Sequence, residues 1–286
     1  VVGASNQTIN GNGSILNMTV ANPSGITLGG SQSFNGLLTL TTGKIRTFAH
    51  TISILSTGNI SSGSSSSYVN GFIQRSFPAG TTTLNFPVGD DNVYTPVSLT
   101  INGLLLSDEF RIHSWGNDHP QVGTSSIISD LSVNRYWSID QNANQIFSTA
   151  DFTLNWDATD VDLDAITSNF GVGSYYSDAS IWSIATSSNP QPTSIDVSGV
   201  TTFADRFYQV GEVASYAVND YRTVSDGAWD DISNWETFDG NSWVPAIDYP
   251  VASNAEQITI TDHYMVPGNT SPLVVDQLII NPGSSL

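Results

Sequence analysis

The stretch Asn85–Leu99, "NFPVGDDNVYTPVSL", decides how the chain is read. Two adjacent carboxylates, Asp90 and Asp91, follow a glycine and lie between two apolar runs. Taken alone, such a pair suits a metal or a sugar. Its flanks point elsewhere. Phe86 and Val88 alternate before it, and Val97 and Leu99 alternate after it, which is the period of a β-strand. Between them, "GDDN" has the composition of a tight turn: Gly and Asn accept positive φ, and Asp bonds its own backbone. Pro87 and Pro96 lack a ladder donor, so both belong at strand ends or on an edge. The stretch therefore predicts a turn between antiparallel strands, with the doubled charge serving solubility.

The rest of the composition agrees with a β protein. Of 286 residues, 39% are hydrophobic, enough for a packed core. Only 12% are charged, about half of the ~25% usual in soluble domains. Seven Lys plus Arg face 26 Asp plus Glu, for a net charge of -19, and Lys44 is the single lysine. Nucleic acid and anionic lipid both need a basic stripe, so neither is expected as a partner. An acidic surface suits a chain that stays soluble outside the cell, and it can attract divalent cations. Cysteine is absent, which removes disulfides, thiolate metal sites and cysteine nucleophiles. No run approaches the ~18 apolar residues of a membrane span. Neither a basic start nor an apolar signal core opens the chain. Gly, Ser, Thr and Asn dominate the remainder, and no segment sustains a helical apolar period, so the fold class is all-β.

Three textures follow one another. Residues 1–67 are short strands broken by Gly and Asn. "SILNMTV" puts Leu16, Met18 and Val20 on one face, and "HTISIL" does the same with Ile52 and Ile54. A spacing of roughly 10–12 residues per strand and turn fits β-solenoid coils or a sandwich. The polar run "STGNISSGSSSS" then reads as a joint. Over residues 68–213 the strands lengthen and aromatics multiply. About eight alternating strands predict a two-sheet β-sandwich. Residues 214–286 open with a Trp-, Asp- and Gly-rich segment, read as a loop-rich cap. They return to short strands in "EQITITDHYMV" and "PLVVDQLIINPGSSL", taken as the start of a further β-solenoid. "MTVANPSGI" and "LIINPGSSL" align loosely, which suggests the same kind of coil at both ends.

Several of these segments resemble a known module. "GLLTLTTGKIRT", "SSYVNGFIQRSFPAG", "FPVGDDNVYTPVSLT" and "VNRYWSI" look like a unit that recurs in giant secreted surface proteins of Bacteroidota. There a solenoid ends in Ser-Tyr-Val-Asn-Gly, and a sandwich follows with a Phe-Pro-Val-Gly-Asp turn and an Arg-Tyr-Trp strand. "YRTVSDGAWDDISNWETFDGNSWVPA" is similar to the lead-in before a new solenoid in such proteins. "FIQRSF" departs from the usual Pro-Leu-Arg-Arg run, and only Arg75 keeps that basic pair. The resemblance implies export by a type IX secretion system, an extracellular cell-surface location and, in some members, an adhesin of gliding cells. It also implies a natural chain that continues in both directions, since uncapped solenoid edges invite aggregation.

The same residues hold candidate sites. "DATDVDLDA" carries Asp157, Asp160, Asp162 and Asp164, candidate oxygen ligands for Ca²⁺ on a flexible loop. Counted from Asp160, the sixth position is Ala165 and the twelfth Gly171, so it is no EF-hand, and a solvated acidic loop is the favoured reading. Trp229, Trp235 and Trp243 lie among Asp226, Asp230, Asp231 and Asp239 and are candidate carbohydrate-binding residues. The favoured alternative is that they form the cap's own small core. His50, His113, His119 and His263 lack metal-site spacing. The four glutamates are Glu109, Glu212, Glu236 and Glu256, and no GxSxG, P-loop or HExxH motif occurs. No catalytic residue and no enzyme activity is expected. The expected function is a non-enzymatic stalk segment of an adhesin or filament, serving gliding motility or attachment. Its partners would be neighbouring modules of the same chain, surface glycans or other cells. The alternative is a carbohydrate-binding accessory module of a secreted polysaccharide-degrading enzyme.

Overall fold

The computed structural model describes every residue except Ser215, Asn241, Thr270, Ser271 and Asp276. Ser271 precedes and Asp276 belongs to the stretch "PLVVDQLIINPGSSL", which thus lies partly outside the described residues. Regular structure among the described residues consists of strands and a few 3-10 turns, with no α-helix. The fold is all-β: solenoid coils, a β-sandwich, then a cap that leads into further coils. Two compact units are formed. One comprises Val1–Val122 and Ile127–Val213, and the other Gly123–Ser126 and Ala214–Leu286.

In the first unit the chain winds through parallel coils. Gln7 pairs with Ile26, Ile26 with Ile45 and Ile45 with Val69, the last step being the longest. A second ladder runs from Gly13 to Gln32, Ile52 and Ile73, and a third from Met18 to Leu38 and Ile60. A complete coil therefore holds three short strands. The spacing expected from the sequence was too long, because most corners are only two residues, as at Gly11–Asn12 and Asn35–Gly36, and few are loops. Buried polar side chains close these corners. Asn22, fully buried, donates to the carbonyls of Ser5 and Gly25, and Gln32 donates to that of Gly11. Val20, Ile26, Leu28, Phe34, Leu38, Ile45, Ile52 and Ile54 fill the interior. Leu16 does not join them. It sits between the strands Gly13–Ile15 and Met18–Ala21 and is exposed.

The strand Val69–Phe77 carries the fold across. One edge pairs in parallel with the coil strand Ile45–Ile54, and the other pairs antiparallel with Asp108–Trp115. No unit boundary falls at Ser67/Tyr68, because the solenoid sheet runs on into the sandwich and both share one core. The sandwich sheet continues through Ile127–Gln141, Arg206–Val213, Phe170–Tyr176 and Ile181–Ala185. Facing it are Gly80–Phe86, Val97–Leu104, Thr149–Asn155, Ser194–Val200 and Ser187–Gln191. Six strands thus face five, more than the eight expected. "SNFGVGSYYSDASIWSI" breaks into two strands, and the polar pair after Thr186 adds two more.

The shared strand needs one glycine. Gly71 has φ +124°, and a Cβ there would lie 1.9 Å from Oγ1 of Thr47. At this level the coil strand is bulged: Phe48 has φ +50°, and the Thr47 hydroxyl accepts from the Phe72 N–H at 2.9 Å. The second unit repeats the coil step. Tyr221 pairs in parallel with Ile258 and Ile258 with Leu278, while Gly227 pairs with Met265 and Tyr264 with Ser285. The first of these steps is lengthened by the hairpin of Trp235–Phe238 and Trp243–Pro245. The later steps, Ile258 to Leu278 and Tyr264 to Ser285, match those of the first unit closely.

Candidate functional site

The opening stretch is a turn, as its alternation implies. Gly80–Phe86 and Val97–Leu104 pair antiparallel on either side of it. The Asp90 carboxylate accepts from the N–H groups of Asn92 and Val93 at 2.7 and 2.8 Å. Neither Gly89 nor Asn92 adopts positive φ. Glycine is required at 89 for closeness instead: a Cβ would meet the Val93 carbonyl at 2.2 Å and the Tyr68 ring at 2.6 Å. Val88 and Gly89 also pair in parallel with Val69 and Asn70, tying the turn to the shared strand.

The charges do more than solubilise. Arg135 lies on Ile127–Gln141, on the same buried face as Val133, Trp137 and Ile139, and its side chain is 0% exposed. A lone guanidinium there would cost several kcal/mol. Two carboxylates answer it. Asp90 Oδ2 lies 2.7 Å from Nη2, and Asp160 Oδ2 lies 3.0 Å from Nε. Asp160 is itself fixed by a reciprocal capping box with Asp157. Nη1 is enclosed with no acceptor among the described residues.

Asp91 turns to the coils. Its carboxylate accepts from Arg46 Nε and Asn70 Nδ2, both at 2.9 Å, and its carbonyl accepts from Lys44 Nζ. Lys44 also lies over the Tyr68 ring, whose hydroxyl donates to the Asp90 carbonyl at 2.8 Å. One short turn thus binds the coils through Lys44, Arg46, Tyr68 and Asn70, and the sandwich through Arg135. Burial acts to raise the Asp90 pKa, but the Asn92 N–H, the Arg135 charge and the Val93 N–H outweigh it and hold the carboxyl below its usual range. Asp90 stays ionised at neutral pH.

The other candidate residues are placed as follows. Asp157 caps a 3-10 turn, Asp160 pairs with Arg135, and Asp162 accepts from Ser132 N and Asn134 Nδ2. Asp164 occupies a left-handed corner at φ +72°. The four do not converge: among the described residues no group of three or more His, Asp or Glu side chains is arranged to hold a metal. Trp229, Trp235 and Trp243 are buried, with 0%, 1% and 6% exposure. Trp229 and Trp235 pack 4.7 Å apart, and their indole N–H groups donate to the carbonyls of Pro250 and Trp229. Trp243 packs on Tyr216 and Phe238 under the Arg222 guanidinium. These indoles are core side chains and offer no open face for stacking. His113 and His119 lie in aromatic clusters with Phe72, Trp115 and Tyr136, and burial lowers both pKa values to about 4.

The Arg135 ion triad escaped the sequence reading. A partial signal existed: in a chain with seven cations, an arginine at an inward position between Val133 and Trp137 calls for acceptors, and carboxylates are the strongest of them. The half-buried stack of Trp115 on Tyr136, 4.6 Å apart and 9° from parallel, was also missed. Its rings face each other, so each covers one face of the other. No known family model, curated protein or solved structure matches this chain.

Proposed function

We propose that the chain is a non-enzymatic stalk segment of a large extracellular surface protein, an adhesin or filament of the kind exported by type IX secretion in gliding Bacteroidota. What supports the reading most is that, within the first unit, parallel coils pass through Val69–Phe77 into a sandwich in one hydrogen-bonded sheet. In the second unit, coils of a similar step begin again after Tyr221. A ladder advancing ~4.8 Å per coil spans distance with few residues and bears load through many backbone bonds at once. Five of the seven cations, Lys44, Arg46, Arg111, Arg135 and Arg222, bond acidic residues of the chain itself. Its neighbours would be further modules of the same chain, and its targets surface glycans or other cells.

Immunogold electron microscopy of intact source cells, with an antibody raised to this chain, tests the proposal. Label along thin surface filaments is expected. Label confined to the cytoplasm would refute it.

A further inference from the structure

Arg75 is the one cation, among the described residues, that has neither a carboxylate nor an aromatic ring as partner. It is the arginine left alone in "FIQRSF". Its side chain is drawn in until 7% of the residue is exposed. Nη1 donates to the Asn85 carbonyl at 2.7 Å and Nη2 to Asn59 Oδ1 at 3.1 Å, while Nε–H has no acceptor. A buried guanidinium held only by neutral acceptors is costly, and 26 acidic residues in the chain leave it unanswered. Burial accordingly lowers its pKa.

Arg75 also lines a cavity of about 400 Å³, within the range of small-molecule sites. The cavity lies between the last coil corner, Asn59–Gly63, and the second sandwich sheet. Ser62, Tyr94 and Ser98 line it, their hydroxyls without a side-chain partner among the described residues, and Pro87 and Pro96 line it as well. One cation, several free hydroxyls and two flat C–H surfaces complement a small molecule with one carboxylate, several hydroxyls and an aliphatic ring.

We infer that this cavity is a binding site for a sugar acid, its carboxylate paired with Arg75. A charge-assisted hydrogen bond is what distinguishes guanidinium recognition of a carboxylate from that of a neutral hydroxyl. The site is independent of the stalk reading.

Calorimetric titration of the whole chain with glucuronate, its methyl ester and inorganic phosphate tests the inference. Saturable glucuronate binding is expected, with the ester and phosphate at least about tenfold weaker, the scale of a charge-assisted hydrogen bond. Two variants locate the site. Arg75→Met removes the cation. Ser62→Trp, at an exposed position on the rim, blocks the cavity while leaving Arg75 and the core intact. Both should lose at least about tenfold in affinity. If Arg75→Met does not fold, Ser62→Trp alone decides. No saturable binding, equal binding of ester or phosphate, or unchanged affinity in a folded Ser62→Trp variant would overturn the assignment.

Discussion

Coils of nearly the same step occur twice, and they end differently. In the first unit, near-equal steps from Gly13 to Gln32, Ile52 and Ile73 finish at Val69–Phe77, a strand that the sandwich uses as its own. In the second, the steps from Ile258 to Leu278 and from Tyr264 to Ser285 follow a longer first turn that swallows a hairpin and three tryptophans. A coil that passes into a sandwich must bring a parallel ladder and an antiparallel one to the same strand. Their side chains then meet at an awkward corner, and the chain fills it with Asp90, Asp91, Arg135 and Asp160. A coil that starts afresh builds a small core of its own from the largest apolar side chains. Ions serve the junction of the first, and indoles fill the long turn of the second.

The largest expected effects strike each device separately. Asp160→Ala leaves the buried Arg135 half-answered and should destabilise the first unit by about 3–5 kcal/mol, read from urea unfolding. Trp229→Ala, which opens a cavity in the second core, should cost about 3–5 kcal/mol there. Followed by probes in each unit, the two variants should lower different transitions. If each lowered both equally, the contrast between the two devices would fail.

Gly71→Ala comes next. Its φ of +124° and the 1.9 Å approach to Thr47 make a cost of about 2–3 kcal/mol the expectation, by thermal unfolding. Acidification should act more gently and on the first unit. His113 and His119 titrate at about 4 in the fold, against about 6.5 when unfolded. Between those values the unfolded chain binds more protons, so their contribution is complete above about pH 6.5 and is lost as pH falls toward 4. The slope is at most about 1.4 kcal/mol per pH unit for each histidine. Asp118 and Asp140, raised chiefly by burial, bind protons more readily in the fold and offset part of the loss at the acid end. Calorimetric Tm values from pH 7 to 4.5 would show the fall, and a flat profile would contradict it. Smallest is Asp91→Ala. Its side chain is 67% exposed, so losing the Arg46 bond should cost under about 1 kcal/mol, far less than changing its neighbour Asp90.

How much of this was readable in the residues differs by region. Alternation at Phe86, Val88, Val97 and Leu99 gave the turn, because local period survives in any context. The two coil regions were visible from their short strands, with Asn-Gly corners in the first and Pro-Gly in the second. The number of strands per coil was not, since such tight corners leave no loop signature. Trp229, Trp235 and Trp243 read equally well as sugar platform or core, and only burial separates the two. Asp90 and Asp160 are far apart in sequence and meet only through Arg135. Pairings of that range depend on sheet register, which no local pattern carries.

Native-state hydrogen exchange across Val69–Phe77 is the most direct test of the central claim, that one shared strand makes coils and sandwich a single cooperative body. Amides of the coil strand Ile45–Ile54 and of Asp108–Trp115 should open with the same free energy, and Asp160→Ala should lower both together. Coil amides that open several kcal/mol more easily than the sandwich, and ignore the substitution, would show two bodies merely abutting and contradict the account.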